Sequence, residues 1–221
     1  MLEFQNVTGT KKGFGLKNIS FIAEEGYLIG LTGKNGAGKT TLLRYIMEEN
    51  IAYTGKILLD GKDIRENHAY VRDYVSLVSD EKRFFQDYSA GKNAELLGGF
   101  YTSFDSEGFK SAMRRFMVDT GQRLSALSRG EYLKFQTAFA MSHGTRLYLM
   151  DEVTGGMDPV FRKDFYKILH ELMAEGKATV MLTTHIEEEI DTHMDYVGVM
   201  EAGKLISYGE VGKNDGTACR I

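Results

Sequence analysis

Gly33-Lys34-Asn35-Gly36-Ala37-Gly38-Lys39-Thr40 decides the fold, because it has the spacing Gly, four residues, Gly, Lys, Thr by which a P-loop cradles phosphate. Before it, the apolar run Tyr27-Leu28-Ile29-Gly30-Leu31-Thr32 predicts a buried strand running into the loop. After it, residues 41–47 predict the first turns of a helix leaving the loop. Strand, glycine loop and helix together aim backbone N–H groups and the positive end of a helix dipole at one anion. The expected phosphate-binding set is therefore Gly33, Lys34, Asn35, Gly36, Ala37, Gly38, Lys39, Thr40 and Thr41. Lys39 reaches the terminal phosphates, and the Thr40 hydroxyl ligates magnesium. The alternative, a glycine-rich turn that merely joins strand to helix, is disfavoured by both flanks.

The bulk composition narrows the class without naming a chemistry. The chain has 221 residues, enough for one well-buried core with a subdomain and too few for two full-sized domains. Its 43% hydrophobic and 26% charged residues are ordinary globular values. A formal net charge of −4 gives no electrostatic reason to expect a nucleic acid partner. The longest apolar runs are strand-sized, far below the ~20 residues that cross a bilayer. Residues 1–5 carry neither a basic region nor an apolar signal core. The expectation is a cytosolic chain that meets a membrane only through a partner. The single cysteine, Cys219, sits in a polar tail and agrees with a reducing compartment.

Along the chain, strands are expected around Leu2, Phe4 and Val7, around Ile19, Phe21 and Ala23, and over residues 56–60 before a Gly61 turn. From Ser89 to His143 apolar residues recur at helical spacing, as in Phe109, Met113, Phe116 and Met117, then Tyr132, Phe135, Phe139 and Ala140. This predicts a helical insertion in an α/β frame. Alternation then returns, with strands at 147–150 and 179–183, a helix near 161–174, and short strands at 196–200 and 204–207. Such alternation implies a largely parallel sheet covered on both faces.

Leu147-Tyr148-Leu149-Met150-Asp151-Glu152 is an apolar strand ending in two carboxylates, the form of a Walker B segment. Asp151 is placed to hold magnesium beside Thr40, and Glu152, turned elsewhere, to polarise an attacking water as general base. Between the two motifs lies Leu127-Ser128-Arg129-Gly130-Glu131, in which Ser128 and Glu131 also form a helix capping box.

With these residues the chain resembles the ATP-binding cassette (ABC) ATPases, whose signature Leu-Ser-Gly-Gly-Gln stands at the place of residues 127–131. Ser128 and Gly130 match; Arg129 and Glu131 depart. The segment Gly155-Gly156-Met157-Asp158-Pro159 is similar to the family's D-loop, with Asp158 at its aspartate, and His185 stands where the family has its γ-phosphate switch histidine. Val75-Ser76-Leu77-Val78-Ser79-Asp80 ends in a carboxylate where the family usually has the Q-loop glutamine, making Asp80 a candidate third magnesium ligand. Phe14 is the candidate for stacking on adenine. The other histidines, His68, His143, His170 and His193, show no metal spacing and are expected to be solvated.

The resemblance implies an α/β P-loop NTPase with a mostly parallel central sheet, an N-terminal antiparallel β subdomain and a helical signature subdomain. The expected single domain divides into a core at about 1–88 and 144–210, a helical part at about 89–143, and a tail at 211–221. It also implies an ATPase that dimerises, with itself or with a similar subunit, around two Mg-ATP, each site built from Lys39, Glu152 and His185 of one chain and Ser128 and Gly130 of the other. Its force would pass to a transmembrane permease near residues 80–88, where Phe84, Phe85 and Tyr88 offer an aromatic seat or pack within the subdomain. The short domain, the Ser-Arg-Gly signature and the acidic Q-loop look most like ABC-2-type exporters. The alternatives are a soluble non-transport ABC protein and a regulatory module that binds nucleotide without hydrolysing it.

Overall fold

A computed structural model of the chain describes residues 1–11, 14–48, 51–176 and 178–212, and the side chains of 10–14, 175–176 and 187 lie outside the description. Cys219 is therefore outside the described residues, as is the Phe14 side chain. Two sheets are present. The smaller is antiparallel and carries β1 (Leu2–Lys11), β2 (Phe14–Ala23), β4 (Thr54–Leu59) and β5 (Lys62–Asp63) in the order β2-β1-β4-β5. The larger has the order β10-β9-β3-β8-β7-β6, from β3 (Leu28–Thr32), β6 (Val75–Ser79), β7 (Leu147–Asp151), β8 (Thr179–Thr183), β9 (Tyr196–Glu201) and β10 (Lys204–Glu210). All its pairings are parallel except that of β10 with β9.

β3 and β8 are buried along their whole length, which is why they read as unbroken apolar runs rather than alternating ones. β3 pairs with β8 and β9, and β7 with β8 and β6, so the C-terminal ends of β3, β7, β8 and β6 meet on one edge of the sheet. That edge is where open α/β sheets place their ligands. Leu42, Leu43, Tyr45 and Ile46 of α1 (Lys39–Met47) are buried between the two sheets, against Phe4, Ile19, Ile57 and Leu149. On the other face of the large sheet, Phe165, Tyr166 and Leu169 of α6 (Pro159–Gly176) and Ile190 of α7 (Glu187–His193) cover Met150, Val180 and Leu182.

Residues 90–142 hold α3 (Ala90–Gly98), α4 (Ser106–Arg115) and α5 (Arg129–Ser142), with their own core around Phe109, Met113, Phe135 and Phe139. Leu133 and Ala140 of α5 turn instead into the core shared with α6. α2 (His68–Tyr74) and α7 are single short helices that the apolar pattern does not announce.

The expectation of solvated histidines fails at His143. It is 2% exposed, its ring stacks on Tyr101 with centroids 3.8 Å apart, and its Nε2 lies 3.1 Å from Ser76 Oγ. His143 is the C-cap of α5, where that helix meets β6 and β7, so the chain path buries it whatever its polarity. Burial pushes its pKa below the ordinary 6.5. The folded state therefore binds fewer protons than the unfolded one as pH falls below about 6.5, and stability is lost through that window. We predict a melting temperature that declines below pH 6.5 and a shallower decline for His143→Gln; parallel slopes for the two proteins between pH 6.5 and 5.5 refute this origin.

Candidate functional site

The P-loop begins where β3 ends. Gly33 has φ +144°, and a Cβ there would lie 2.2 Å from the Met200 carbonyl oxygen, so only glycine fits. Gly36 and Gly38 also have positive φ, and Gly38 caps α1. The helix starts at Lys39, two residues earlier than the sequence indicates, which puts Lys39 and Thr40 in its first turn. Lys39 is 4% exposed, and its Nζ donates to the Gly33 carbonyl at 2.7 Å, spanning the loop from inside.

Asp151, at the end of β7, accepts from Thr40 Oγ1 at 3.0 Å and from Thr183 Oγ1 at 2.7 Å, both on Oδ1. Thr183 ends β8, and its Oγ1 also accepts from the Glu152 N–H at 2.9 Å. Glu152 is left-handed, with φ +50°, a conformation that costs a non-glycine residue of order 1 kcal/mol. The Glu152 carboxylate comes to 3.7 Å from Lys39 Nζ. An open cleft of about 660 Å³ results, lined by residues 35–41, Ser79, Asp80, Glu81, Asp151 and Glu152.

Thr40 and Asp151 present hard oxygen donors side by side, the chemistry that suits Mg²⁺. Among the described residues no group of three or more His, Cys, Asp or Glu forms a metal cage of its own. A cation at Thr40 and Asp151 would take its remaining ligands from phosphate and water, as Mg²⁺ commonly does.

Ser128, Gly130, Asp158 and His185 stand outside this lining. Ser128 caps α5, its Oγ accepting from the Glu131 N–H at 3.3 Å while its N–H and hydroxyl donate to Glu131 Oε2 at 2.8 and 2.7 Å. The Ser128 hydroxyl, then its N–H, hold the Glu131 carboxyl below its ordinary range. Gly130 is pressed against the Phe161 ring, which an added Cβ would meet at 2.5 Å. Asp158 accepts from the Val160 and Phe161 N–H groups at the start of α6, capping that helix ahead of Pro159. His185 is exposed, and a Cβ on Gly155 would touch its ring at 3.6 Å.

Asp80 lies on the cleft rim with both carboxylate oxygens taken by Arg129, whose Nε donates at 2.8 and 2.9 Å. Three further groups were missed from the sequence. Thr183 looks like the last residue of an apolar strand. Gln136 of α5 brackets the backbone of Ser79, donating to its carbonyl at 2.8 Å and accepting from its N–H at 3.2 Å. Glu189, 2% exposed, accepts from Thr154 and Thr184 at 2.9 and 2.6 Å and so ties the turn after Glu152 to the strand end before His185. Glu189 lies within an acidic run that reads as a solvated face, so nothing in the sequence singles it out.

The chain is 32% identical to the ABC transporter ATP-binding protein YtrB of Bacillus subtilis over 192 residues, 86% of this chain and 65% of that protein. It is 29% identical to the methionine import ATP-binding protein MetN of Corynebacterium diphtheriae, covering 95% of this chain and 66% of that protein. It is 30% identical to the Nod factor export ATP-binding protein I of Rhizobium sp., covering 92% of this chain and 70% of that protein. The chain thus spans 65% and 66% of the first two relatives' lengths. In fold it is similar to CbiO1 of Clostridium perfringens, part of the transporter complex CbiONQ, with TM-score 0.80, 23% identity, and 95% of this chain and 88% of that one covered. It is also similar to a dimeric ATP-binding cassette bound to ADP and Pi, with TM-score 0.83, 21% identity, and 96% of this chain and 100% of that one covered. The family model described as ABC transporter matches residues 16–155, from β2 through the P-loop and the Ser128 helix to the turn after Glu152, and with it this chain belongs to the ABC transporter family.

Proposed function

We infer that the chain is the ATP-binding and ATP-hydrolysing subunit of a membrane transporter. The observation that carries this reading is the convergence of Lys39, Thr40, Asp151 and Glu152 on one cleft at the C-terminal edge of the sheet. Magnesium, when bound at Thr40 and Asp151, supplies charge neutralisation to the phosphate oxygens. Lys39 exchanges the Gly33 carbonyl for a terminal phosphate oxygen, and the Glu152 carboxylate takes the proton of the attacking water. Asp80 is free to act on the metal only when its pairing with Arg129 opens.

In this reading the catalytic unit is a dimer, with itself or with a similar subunit. Ser128 and Gly130 serve the partner's γ-phosphate and Asp158 acts where the two chains meet, while His185 contacts the γ-phosphate in the site of its own chain. A dimer accounts for Ser128, Gly130 and Asp158 standing outside the cleft of their own chain. The membrane partner is a separate permease. Phe84 packs inward on Phe135 and Phe139, with centroids 4.9 and 5.4 Å apart, so Phe85 and Tyr88, 51% and 47% exposed, are the part of that cluster left to dock it. No described helix is long and apolar enough to cross a membrane; in this reading the chain sits on the inner face of the membrane through the permease. Similar proteins are named for import and for export, so the exporter assignment rests on the short domain, the Ser128-Arg129-Gly130 signature and Asp80.

The test is a thermal shift with Mg-ATP. At one hundred times its dissociation constant, ATP should stabilise the folded chain by about 2.7 kcal/mol. Lys39→Ala removes the charge on the phosphates and also leaves the Gly33 carbonyl unpaired, so its nucleotide-free melting point falls as well. The shift is therefore compared within each protein. Loss of most of it in the variant is the expected result, and an undiminished shift disposes of the P-loop reading.

A further inference from the structure

Two residues that depart from the family pattern bond to each other. Arg129 stands where the signature has glycine, Asp80 where the Q-loop has glutamine, and the Arg129 guanidinium holds Asp80 through Nε and Nη2, the latter at 2.7 Å. The same guanidinium donates through Nη2 to the Glu152 carbonyl at 3.1 Å and through Nη1 to the Gly155 carbonyl. One planar fork thus joins the end of β6, the start of α5 and the turn that carries Glu152 in its left-handed conformation.

Stability does not explain this arrangement. The side chains are 36% and 55% exposed, where an ion pair contributes about 1 kcal/mol or less. The backbone before Asp80 is already fixed to α5 by Gln136, and the Tyr132 hydroxyl donates to the Glu81 carbonyl at 3.2 Å. What Arg129 adds is orientation of the 152–155 turn and neutralisation of a carboxylate that faces the phosphate cleft.

We propose that Arg129 is a positioning residue for Glu152, and that in the same act it cancels the charge of Asp80 at the nucleotide cleft. This rests on the ATPase reading above. The two effects separate by experiment. Arg129→Gly frees the turn and bares Asp80, so kcat should fall by about 10- to 100-fold and ATP affinity should fall several-fold. Adding Asp80→Gln removes the bare charge, so affinity should return while kcat stays low. Arg129→Lys keeps the charge but loses the fork, so affinity should hold and kcat should fall.

Backbone hydrogen exchange of the nucleotide-free proteins supplies a readout that needs no turnover. The peptide covering 152–157 should exchange faster in Arg129→Gly, Arg129→Lys and the double variant, while peptides of β3 and β8 keep wild-type protection. Unchanged kcat in Arg129→Gly, or full recovery of kcat in the double variant, overturns the positioning role. Should wild type neither bind nor hydrolyse ATP, the ATPase reading fails by itself, and the exchange of residues 152–157 still decides whether the fork holds that turn.

Discussion

Glu152→Gln should lower turnover at saturating ATP by about 10²- to 10⁴-fold, the range by which a positioned general base contributes, while ATP affinity stays close to wild type. Gln has the same shape and bonds, so the left-handed backbone, the N–H donation to Thr183 and the carbonyl acceptance from Arg129 all persist. What disappears is the basic oxygen 3.7 Å from Lys39. The Glu152 side chain is 44% exposed, so losing that ion pair changes stability by about 1 kcal/mol at most, too little to imitate a catalytic defect. Without hydrolysis the triphosphate contacts that hold a closed dimer are not released, so the variant should accumulate as a dimer in Mg-ATP. Light scattering after size separation reads this directly. A variant that turns over at the wild-type rate removes Glu152 from the mechanism.

The parts legible from sequence are those whose residues act locally. β3 and β7 could be read because a strand buried on both faces must be apolar throughout, and the glycines of residues 33–38 because their backbone angles admit little else. The Ser128–Glu131 capping box is equally local, and it forms as its spacing indicates. The unread parts are pairings made by the fold. Arg129 and Asp80 were each visible as departures from a pattern, but they lie 49 residues apart and meet only because Gln136 and Tyr132 draw the end of β6 onto α5. His143 and Glu189 are polar residues buried by chain path, which residue type alone assigns to the surface. Short helices such as α2, with Val71 as its one buried side chain, carry too few apolar positions to show a period.

The largest qualitative effect should come from mixing two inactive proteins. If Ser128 and Gly130 act across a dimer interface, a P-loop variant and a signature variant fail for different reasons, and a mixed pair contains one site with both an intact P-loop and an intact signature. Lys39→Ala is the first partner. Gly130→Asp is a poor second, because its Cβ would be driven into Phe161 of its own chain at 2.5 Å and would disturb α6 directly. Ser128→Asp combined with Glu131→Gln is cleaner. Asp caps a helix as well as Ser does, the Gln removes the carboxylate that would repel it, and the new charge at the start of α5 would repel a partner's phosphate placed there. Each variant alone should give no ATP-dependent dimer, measured by cross-linking in Mg-ATP, and the mixture should recover part of the wild-type yield. Cross-linking is the better readout because hydrolysis can require both sites at once. If wild type itself does not associate in ATP, the chain pairs with a different ATPase subunit, and the same experiment is repeated with that subunit. If wild type dimerises and the mixture never does, Ser128 and Gly130 do not work in trans.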